Sequence, residues 1–343
     1  MLSNQKVTVY GAYGHTGRFI VAELCTRGLT PVLSGRSLEK LEELGRAYPG
    51  LEIRPASVDD TASLDRALHG SAAVINAAGP FMLTSAPVIE AALRARIPYL
   101  DVAAEVEVAV AAFAQYTSRA NDAGMVIVPS IAFYGGLGDL LATAAMGDWQ
   151  AVDEISLAFA LSSWRPTLGT RATSQTSRQR RGGQRLVFTD HRLQLRSDSA
   201  PIVDWTSPPP FGKQTVVADF VTADSVTIPG HVQTRQLHTY MMQAPLRDLA
   251  DTDLSLPVSV DASGRSAQIF LLEARVRSGQ QERRAVVSGQ DIYAVSAPLV
   301  VEATQRVLDA SFLQRGVLAA GQAFDASDFL RALSPRHLAL ELP

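Results

Sequence analysis

Residues 6–17 read Lys6-Val7-Thr8-Val9-Tyr10-Gly11-Ala12-Tyr13-Gly14-His15-Thr16-Gly17, and residues 18–28 continue RFIVAELCTRG. The first five form a short apolar strand. Phe19, Ile20, Ala22, Glu23 and Leu24 follow at helical spacing, and Gly28 stands where a helix would be capped. A strand, a glycine turn and a helix in this order make an anion site. The first glycine permits a tight turn, the second lets backbone approach a pyrophosphate, and the third lets helix and strand pack closely. The helix N-terminus then aims unpaired N–H groups at the phosphates. Gly11, Tyr13, Gly14, His15, Thr16 and Gly17 are therefore the candidate dinucleotide-binding residues.

Outward from this turn the pattern repeats. Strands are predicted at 30–34, 51–55, 72–76, 99–102 and 125–129, with helices at 38–47, 61–69, 85–96 and 106–123. Such alternation predicts a doubly wound parallel sheet of Rossmann type. At the end of the second strand an NAD site usually places a carboxylate on the ribose hydroxyls. Here the chain has Ser34-Gly35-Arg36-Ser37, with Lys40 one turn later. A guanidinium can grip a 2′-phosphate that a carboxylate would repel, so the cofactor expected is NADP(H). Asp59 is expected near the adenine, and Ala77, Ala78, Gly79 and Pro80 on the nicotinamide side.

Composition narrows the alternatives. The 343 residues are 47% hydrophobic and 19% charged, with a formal net charge of -3. That suits about two globular domains and excludes a surface given over entirely to nucleic acid. The single cysteine, Cys25, excludes a disulfide framework and thiolate zinc sites, and no metal site is expected. No apolar run is long enough for a membrane helix, and the N-terminus carries no signal-peptide pattern, so the expected compartment is cytoplasmic. Lysine occurs only at 6, 40 and 213, and the positions four before them hold Leu2, Arg36 and Pro209. A Tyr-x-x-x-Lys dyad is therefore absent. Gly-x-Ser-x-Gly and His-Glu-x-x-His are absent too, which lowers hydrolase readings.

After Asp148-Trp149 the strand–helix alternation stops. Strands are predicted at 153–161, 185–189, 215–220, 225–228, 232–242, 268–277 and 283–288, followed by a helix over 291–308 containing Pro298. The expected organisation is a dinucleotide-binding domain (1–148), an α+β domain with a largely antiparallel or mixed sheet (149–290), and a helix with C-terminal tail (291–343). Between Ile155 and Thr189 stand Arg165, Arg171, Arg178, Arg180, Arg181 and Arg185 with no Asp or Glu. This reads either as a solvated loop or exposed helix, or as a patch for an anionic partner such as a carrier. Nucleic acid is disfavoured, because no aromatic residue lies between Arg165 and Arg185 to serve as a stacking platform.

Several stretches resemble the saccharopine dehydrogenase-like oxidoreductases, most closely the bacterial branch with trans-acting enoyl reductases. GAYGHTGRFIVAEL, LSGRSLEKLEEL, VINAAGPF, PVIEAALRARIPYLDVAAE and PSIAFYGGLGDLLA are similar to that family's NADP domain. FGKQTVVADF, SVTIPGHVQTR, GQDIYAVSAPLVVEA and GVLAAGQAFDASDFL are similar to its second domain. The branch often carries Phe-Asp where this chain has Phe133-Tyr134, and often Arg where this chain has Gly230. The resemblance implies an NADP-dependent oxidoreductase whose helix after 291 returns to the dinucleotide domain. A homodimer is the expected assembly.

Reduction by hydride also needs a proton source. The candidates, in order, are Tyr134, Tyr293, His231 and Asp101; Asp139 and Glu105 also read as first-turn helix carboxylates. The function expected is NADPH-dependent reduction of a C=C bond in a fairly apolar, free or carrier-bound acyl substrate. A saccharopine-type C=N reductase and a non-catalytic NADP sensor remain open alternatives.

Overall fold

The structure, a computed structural model, describes residues 5–189, 192–251 and 255–343. From its start the chain alternates β1 (Lys6–Tyr10), α1 (His15–Thr26), β2 (Thr30–Gly35), α2 (Leu38–Ala47), β3 (Glu52–Pro55) and α3 (Thr61–Leu68). It continues through β4 (Ala73–Asn76), α4 (Phe81–Ala95), β5 (Tyr99–Asp101), α5 (Val106–Asp122) and β6 (Val126–Val128). A kinked turn at Phe133–Leu137 then leads into α6 (Gly138–Met146). Next come β7 (Ala151–Leu161), α7 (Leu168–Arg180), β8 (Arg185–Thr189), β9 (Arg192–Arg196), β10 (Ile202–Thr206), β11 (Lys213–Ala218) and α8 (Asp224–Thr227). β12 (Gln233–Met242), α9 (Gln243–Ala250), β13 (Ile269–Ser278) and β14 (Gln281–Gln290) follow. The chain ends with α10 (Ser296–Leu308), β15 (Gly316–Val317), α11 (Ala320–Ala323), α12 (Ala326–Leu333) and β16 (Leu338–Glu341).

Two compact units result, residues 1–132 with 296–318, and residues 133–295 with 319–343. In the first unit a parallel sheet runs in the order β15-β6-β5-β4-β1-β2-β3. Its central strands β1, β4, β5 and β6 are short and largely buried, as a sheet covered twice requires, while the edge strand β3 carries Glu52 and Arg54. α3, α4 and α5 bury Leu64, Leu68, Ile89, Ala92 and Tyr116 against Val74, Tyr99 and Ile127. α1 packs against α10, and Arg27 of α1 ion-pairs with Glu302 of α10. The strand order reverses between β1 and β4, so the ends of those two strands open onto the crevice where such sheets bind ligands.

The second unit holds a mixed sheet, β10-β11-β12-β7-β13-β14-β16. β12 and β7 pair in parallel, and the neighbours are antiparallel. A separate hairpin joins β8 and β9. α6 packs on β7, β13 and β14. That packing places residues 133–148 with the second unit, whereas the sequence boundary put them with the first. Likewise the C-terminal stretch divides: α10 and β15 extend the first unit, and α11, α12 and β16 extend the second.

Two local expectations are corrected, and one left open between loop and helix is resolved. Residues 225–228 form not a strand but α8 and a following 3-10 turn, Ile228–Gly230. Backbone N–H groups of Ser225 and Thr227 turn back to the carbonyls of Thr222 and Ala223, which outweighs the β-branched composition. The helix predicted from Asp291 starts at Ser296. Asp291 accepts instead from the N–H groups of Tyr293 and Ala294. Pro298 thus falls in the first turn, where its missing N–H breaks no helical bond. The Arg-rich run contains α7, capped by the Thr167 hydroxyl, which accepts from Thr170 N. It carries no apolar stripe, which is why periodicity does not reveal it.

Candidate functional sites

The glycine turn of the first unit is built by close backbone approach. A Cβ on Gly17 would lie 2.2 Å from the Gly11 carbonyl oxygen, and one on Gly11 would lie 2.7 Å from the Ala78 nitrogen. Gly11 also has φ +91°, which a side chain would strain. Gly14 differs, because its Cβ would meet nothing nearer than the Gly11 oxygen at 3.1 Å. It is the N-cap of α1, no side chain caps that helix, and its first turn has no acidic residue. α2, α3, α7 and α12 are capped by Ser37, Asp60, Thr167 and Asp325, whereas α4, α5, α6 and α9, like α1, have no side-chain cap. An uncapped helix start beside a glycine whose Cβ would already press on the Gly11 carbonyl at 3.1 Å, less severely than at Gly11 or Gly17, fits a pyrophosphate.

Arg36 follows β2 and is exposed, and no carboxylate pairs with it among the described residues. Lys40 places its ammonium 5.8 Å from the centre of the Tyr13 ring. The Tyr13 ring lies against Gly35, where a Cβ would approach Tyr13 Cε1 to 2.8 Å. Two cations and an aromatic ring therefore flank the turn, as a 2′-phosphate on the adenosine ribose requires. Tyr10 is buried beside them and donates to the Ala56 carbonyl at 3.4 Å. Burial, with Tyr13 and Asp59 nearby, pushes its phenol up to about 12. Asp59 is exposed, in a turn where Ser57 Oγ accepts from its N–H at 3.3 Å.

Ala77, Ala78, Gly79 and Pro80 close β4. Ala77 N donates to the Tyr10 carbonyl at 2.7 Å, and Thr84 Oγ1 donates to the Ala78 carbonyl at 2.6 Å. Ala78 N donates to Asn76 Oδ1 at 3.1 Å. Glu105 reaches back to accept from Phe81 N at 3.1 Å and steadies the start of α4. Asp101 is fully buried. It accepts from the Tyr99 hydroxyl at 2.8 Å, Ser130 N at 2.7 Å and Ala103 N at 3.0 Å. Burial raises its pKa against these bonds. The arrangement ties β5 to the segment after β6.

In the second unit His231 and Asp139 meet. His231 Nε2 lies 2.7 Å from Asp139 Oδ1, and Gly321 N donates to Oδ2 at 3.0 Å. Asp139 is fully buried, and the His231 side chain keeps 10% exposure. A Cβ on Gly321 would come within 2.9 Å of His231 Cε1 and 2.3 Å of Thr143 Oγ1. A carboxylate at this distance accepts from an Nε2–H and leaves Nδ1 on the far side of the ring. Among the described residues nothing pairs with Nδ1.

The two candidate tyrosines are placed differently. The Tyr293 hydroxyl accepts from Trp164 Nε1–H at 3.1 Å and Thr167 N–H at 3.4 Å, and it lies 3.0 Å from Thr170 Oγ1. Between these last two hydroxyls either oxygen can be the donor. Tyr134 is buried in an aromatic cluster, stacked on Trp164 with ring centres 5.5 Å apart and edged by Phe133, Phe159 and Phe220. Among the described residues its hydroxyl reaches Met241 Sδ alone, at 3.9 Å. Burial holds its pKa well above the ordinary value.

Asp224 carried no sequence signal, because its segment read as a strand. It is fully buried. Oδ2 accepts from Gly135 N at 2.8 Å and the Thr222 hydroxyl at 2.5 Å, while Oδ1 is buried without a hydrogen-bond partner. Burial pushes this carboxyl up to about 7. Gly138 has to be glycine here, since a Cβ would fall 1.9 Å from Oδ1. Asp224 thereby holds the kinked Tyr134-Gly135 backbone, where Gly135 has φ +104°.

The Arg-rich run is divided by the fold. Arg185 pairs with Asp198 and Asp219, Arg180 is exposed on α7, and Arg165 bonds Ser255. The side chain of Arg178 lies outside the described residues. Among the described residues no cluster of His, Cys, Asp and Glu could hold a metal. No described helix is long and apolar enough to cross a membrane.

Residues 7–128 match the family model for the saccharopine dehydrogenase NADP binding domain. Over 145 residues the chain is 28% identical to a human saccharopine dehydrogenase-like oxidoreductase, covering 37% of this chain and 34% of that protein. It is 30% identical over 142 residues to a probable mitochondrial saccharopine dehydrogenase-like oxidoreductase of Arabidopsis thaliana, covering 37% and 31%. A lipid droplet localized protein of Caenorhabditis elegans is 29% identical over 139 residues, covering 37% and 33%. The chain thus spans about a third of the length of these curated relatives. Among solved structures, apo saccharopine dehydrogenase (L-Glu forming) from Saccharomyces cerevisiae aligns with TM-score 0.68 over 99% of this chain and 100% of that chain, at 13% identity. That likeness establishes the fold.

Proposed function

We propose, from the premise that residues 7–128 match the saccharopine dehydrogenase NADP binding domain, that the chain is an NADPH-dependent reductase of a polarised double bond in a fairly apolar substrate. The observation that carries the reading is Arg36, exposed and without a carboxylate partner among the described residues, beside an uncapped helix start. NADPH supplies a hydride. Gly11, Gly14 and Gly17 admit its pyrophosphate, and Arg36 with Lys40 takes its 2′-phosphate.

The proton donor in this reading is His231. It is the candidate whose ring is held by a carboxylate at 2.7 Å and whose second nitrogen is unengaged. Tyr293 spends its hydroxyl on Trp164, Thr167 and Thr170, and Asp101 is sealed under Tyr99, Ala103 and Ser130. An imidazolium can protonate the carbon α to a carbonyl after hydride reaches the β carbon of a C=C bond. It can equally protonate the nitrogen of a C=N bond, which makes imine reduction the second reading.

Loss of NADPH absorbance over a panel of enoyl thioesters, enoic acids, imines and ketones tests the proposal. Turnover of an α,β-unsaturated substrate supports the first reading, and turnover confined to imines supports the second. NADPH binding with no turnover on any of them leaves a cofactor sensor.

A further inference from the structure

We propose that the second unit binds the carboxylate end of a small amphiphilic monoanion, a medium-chain carboxylic acid, in a pocket headed by Arg165 and walled by Val258 and Val260. This deepens the reductase reading by naming its substrate as an apolar acid, and it rests on that reading only for the claim that the ligand is reduced.

The pocket has a volume of about 410 Å³, within the range of small-ligand sites. Its apolar wall comes from the chain before β13. Ser259 bridges Ser266 in an isolated antiparallel pair, so the segment is extended and residues two apart share a face. Val258 and Val260 are such a pair. Both line the pocket, and they are 61% and 59% exposed. Two β-branched apolar side chains left in water over a cavity gain burial when an apolar body fills it.

The polar floor is already satisfied from within. Gln268 is buried, donates to the Ser163 carbonyl and accepts from Ile292 N at 3.0 Å. Ser162 Oγ accepts from Ile269 N at 3.0 Å. Tyr293 has its partners in Trp164 and Thr170.

Arg165 is the exception. Among the described residues its guanidinium bonds one neutral group, Ser255 Oγ, and no carboxylate reaches it. Of five N–H donors in a planar fork, most remain for a ligand, and that fork matches a carboxylate. A cation with no carboxylate partner among the described residues, beside an apolar wall, selects one negative charge on an apolar chain. A neutral amide loses the charge, and a small hydrophilic anion loses the wall.

The test is calorimetric titration of the full chain, without and with NADPH, using octanoate and its neutral counterpart octanamide. Octanoate should bind, and octanamide at least about tenfold more weakly. Arg165→Gln should weaken octanoate by about 10- to 150-fold, the span of a charge-assisted hydrogen bond. Arg165→Lys should restore part of the loss, and Val260→Asn should weaken binding while NADPH affinity stays unchanged in every variant. Equal binding of octanoate and octanamide, or of octanoate by wild type and Arg165→Gln, would overturn the assignment. Failure of wild type to bind NADPH while octanoate binds as stated would refute the reductase reading and leave this site standing.

Discussion

The two units solve the problem of binding in opposite ways. In the first, the candidate site is made of backbone: a turn of seven residues, Gly11 to Gly17, whose glycines clear space and whose helix start offers N–H groups. In the second, the candidate groups are side chains brought together from afar, most of them buried. Asp139 meets His231 across 92 positions, and Gly135 meets Asp224 across 89. Backbone sites depend on local conformation, so their residues lie close in sequence. Side-chain sites depend on tertiary packing, so their members carry no fixed spacing.

The largest effect that can break this comparison is at the glycines. Gly14→Val should abolish NADPH binding at a smaller cost to the fold than a side chain at Gly17, because its Cβ would approach the Gly11 oxygen to 3.1 Å rather than 2.2 Å and would occupy the ligand's place. Gly17→Ala should instead destabilise the fold, by about 1–3 kcal/mol or more, since its Cβ would enter the Gly11 carbonyl. Calorimetry with NADPH beside a urea melt separates them. If both variants lose stability alike, the turn is structural and the backbone-site account fails.

Next comes the dyad. His231→Asn and Asp139→Asn should each lower kcat by about 10²–10⁴-fold with NADPH affinity unchanged. Tyr293→Phe should leave kcat near wild type and cost about 1–3 kcal/mol of stability, since Trp164 Nε1 loses its acceptor. A reversed ranking would return the donor role to the phenol.

How far the sequence foretold these features follows the same division. The order of the first unit's elements from β1 to β6 was legible because each short apolar run is bounded by turn residues. Arg36 was legible because it follows a strand directly. The mixed second sheet was legible in kind, from β-branched runs. Its register was not, and neither was the short helix at Asp224, whose Ser-Val-Thr-Ile run imitates a strand until Asp224 is tied to Gly135. The polar helix α7 has no apolar face, and the start of α10 is set by Asp291 turning back on Tyr293 and Ala294. Nothing in the spacing distinguishes Tyr293 as already bonded from Tyr293 as a spare donor.

A smaller effect sharpens the contrast. Asp224 is an acid whose folded-state pKa, about 7, stands above the unfolded value of about 3.9. The folded chain therefore holds a proton that the unfolded chain releases between those values. Stability from this group is fully present below about pH 4 and falls as pH rises toward about 7, at up to about 1.4 kcal/mol per pH unit. Above that it stays flat. Asp224→Asn keeps an acceptor for Gly135 N and removes the titration. The difference between wild type and variant, measured by urea melts from pH 4 to 8, should shift in the variant's favour as pH rises. A pH-independent difference would show that this carboxyl does not titrate in the folded chain.

The central claim is that the first unit holds NADP(H) through a 2′-phosphate on Arg36. Calorimetric titration of the wild type and Arg36→Ala with NADPH and NADH tests it most directly. Wild type should bind NADPH tighter than NADH by about 10- to 150-fold, the worth of a charge-assisted contact, and Arg36→Ala should bring the two cofactors close together by weakening NADPH alone. Equal affinity of the wild type for NADPH and NADH would contradict the account.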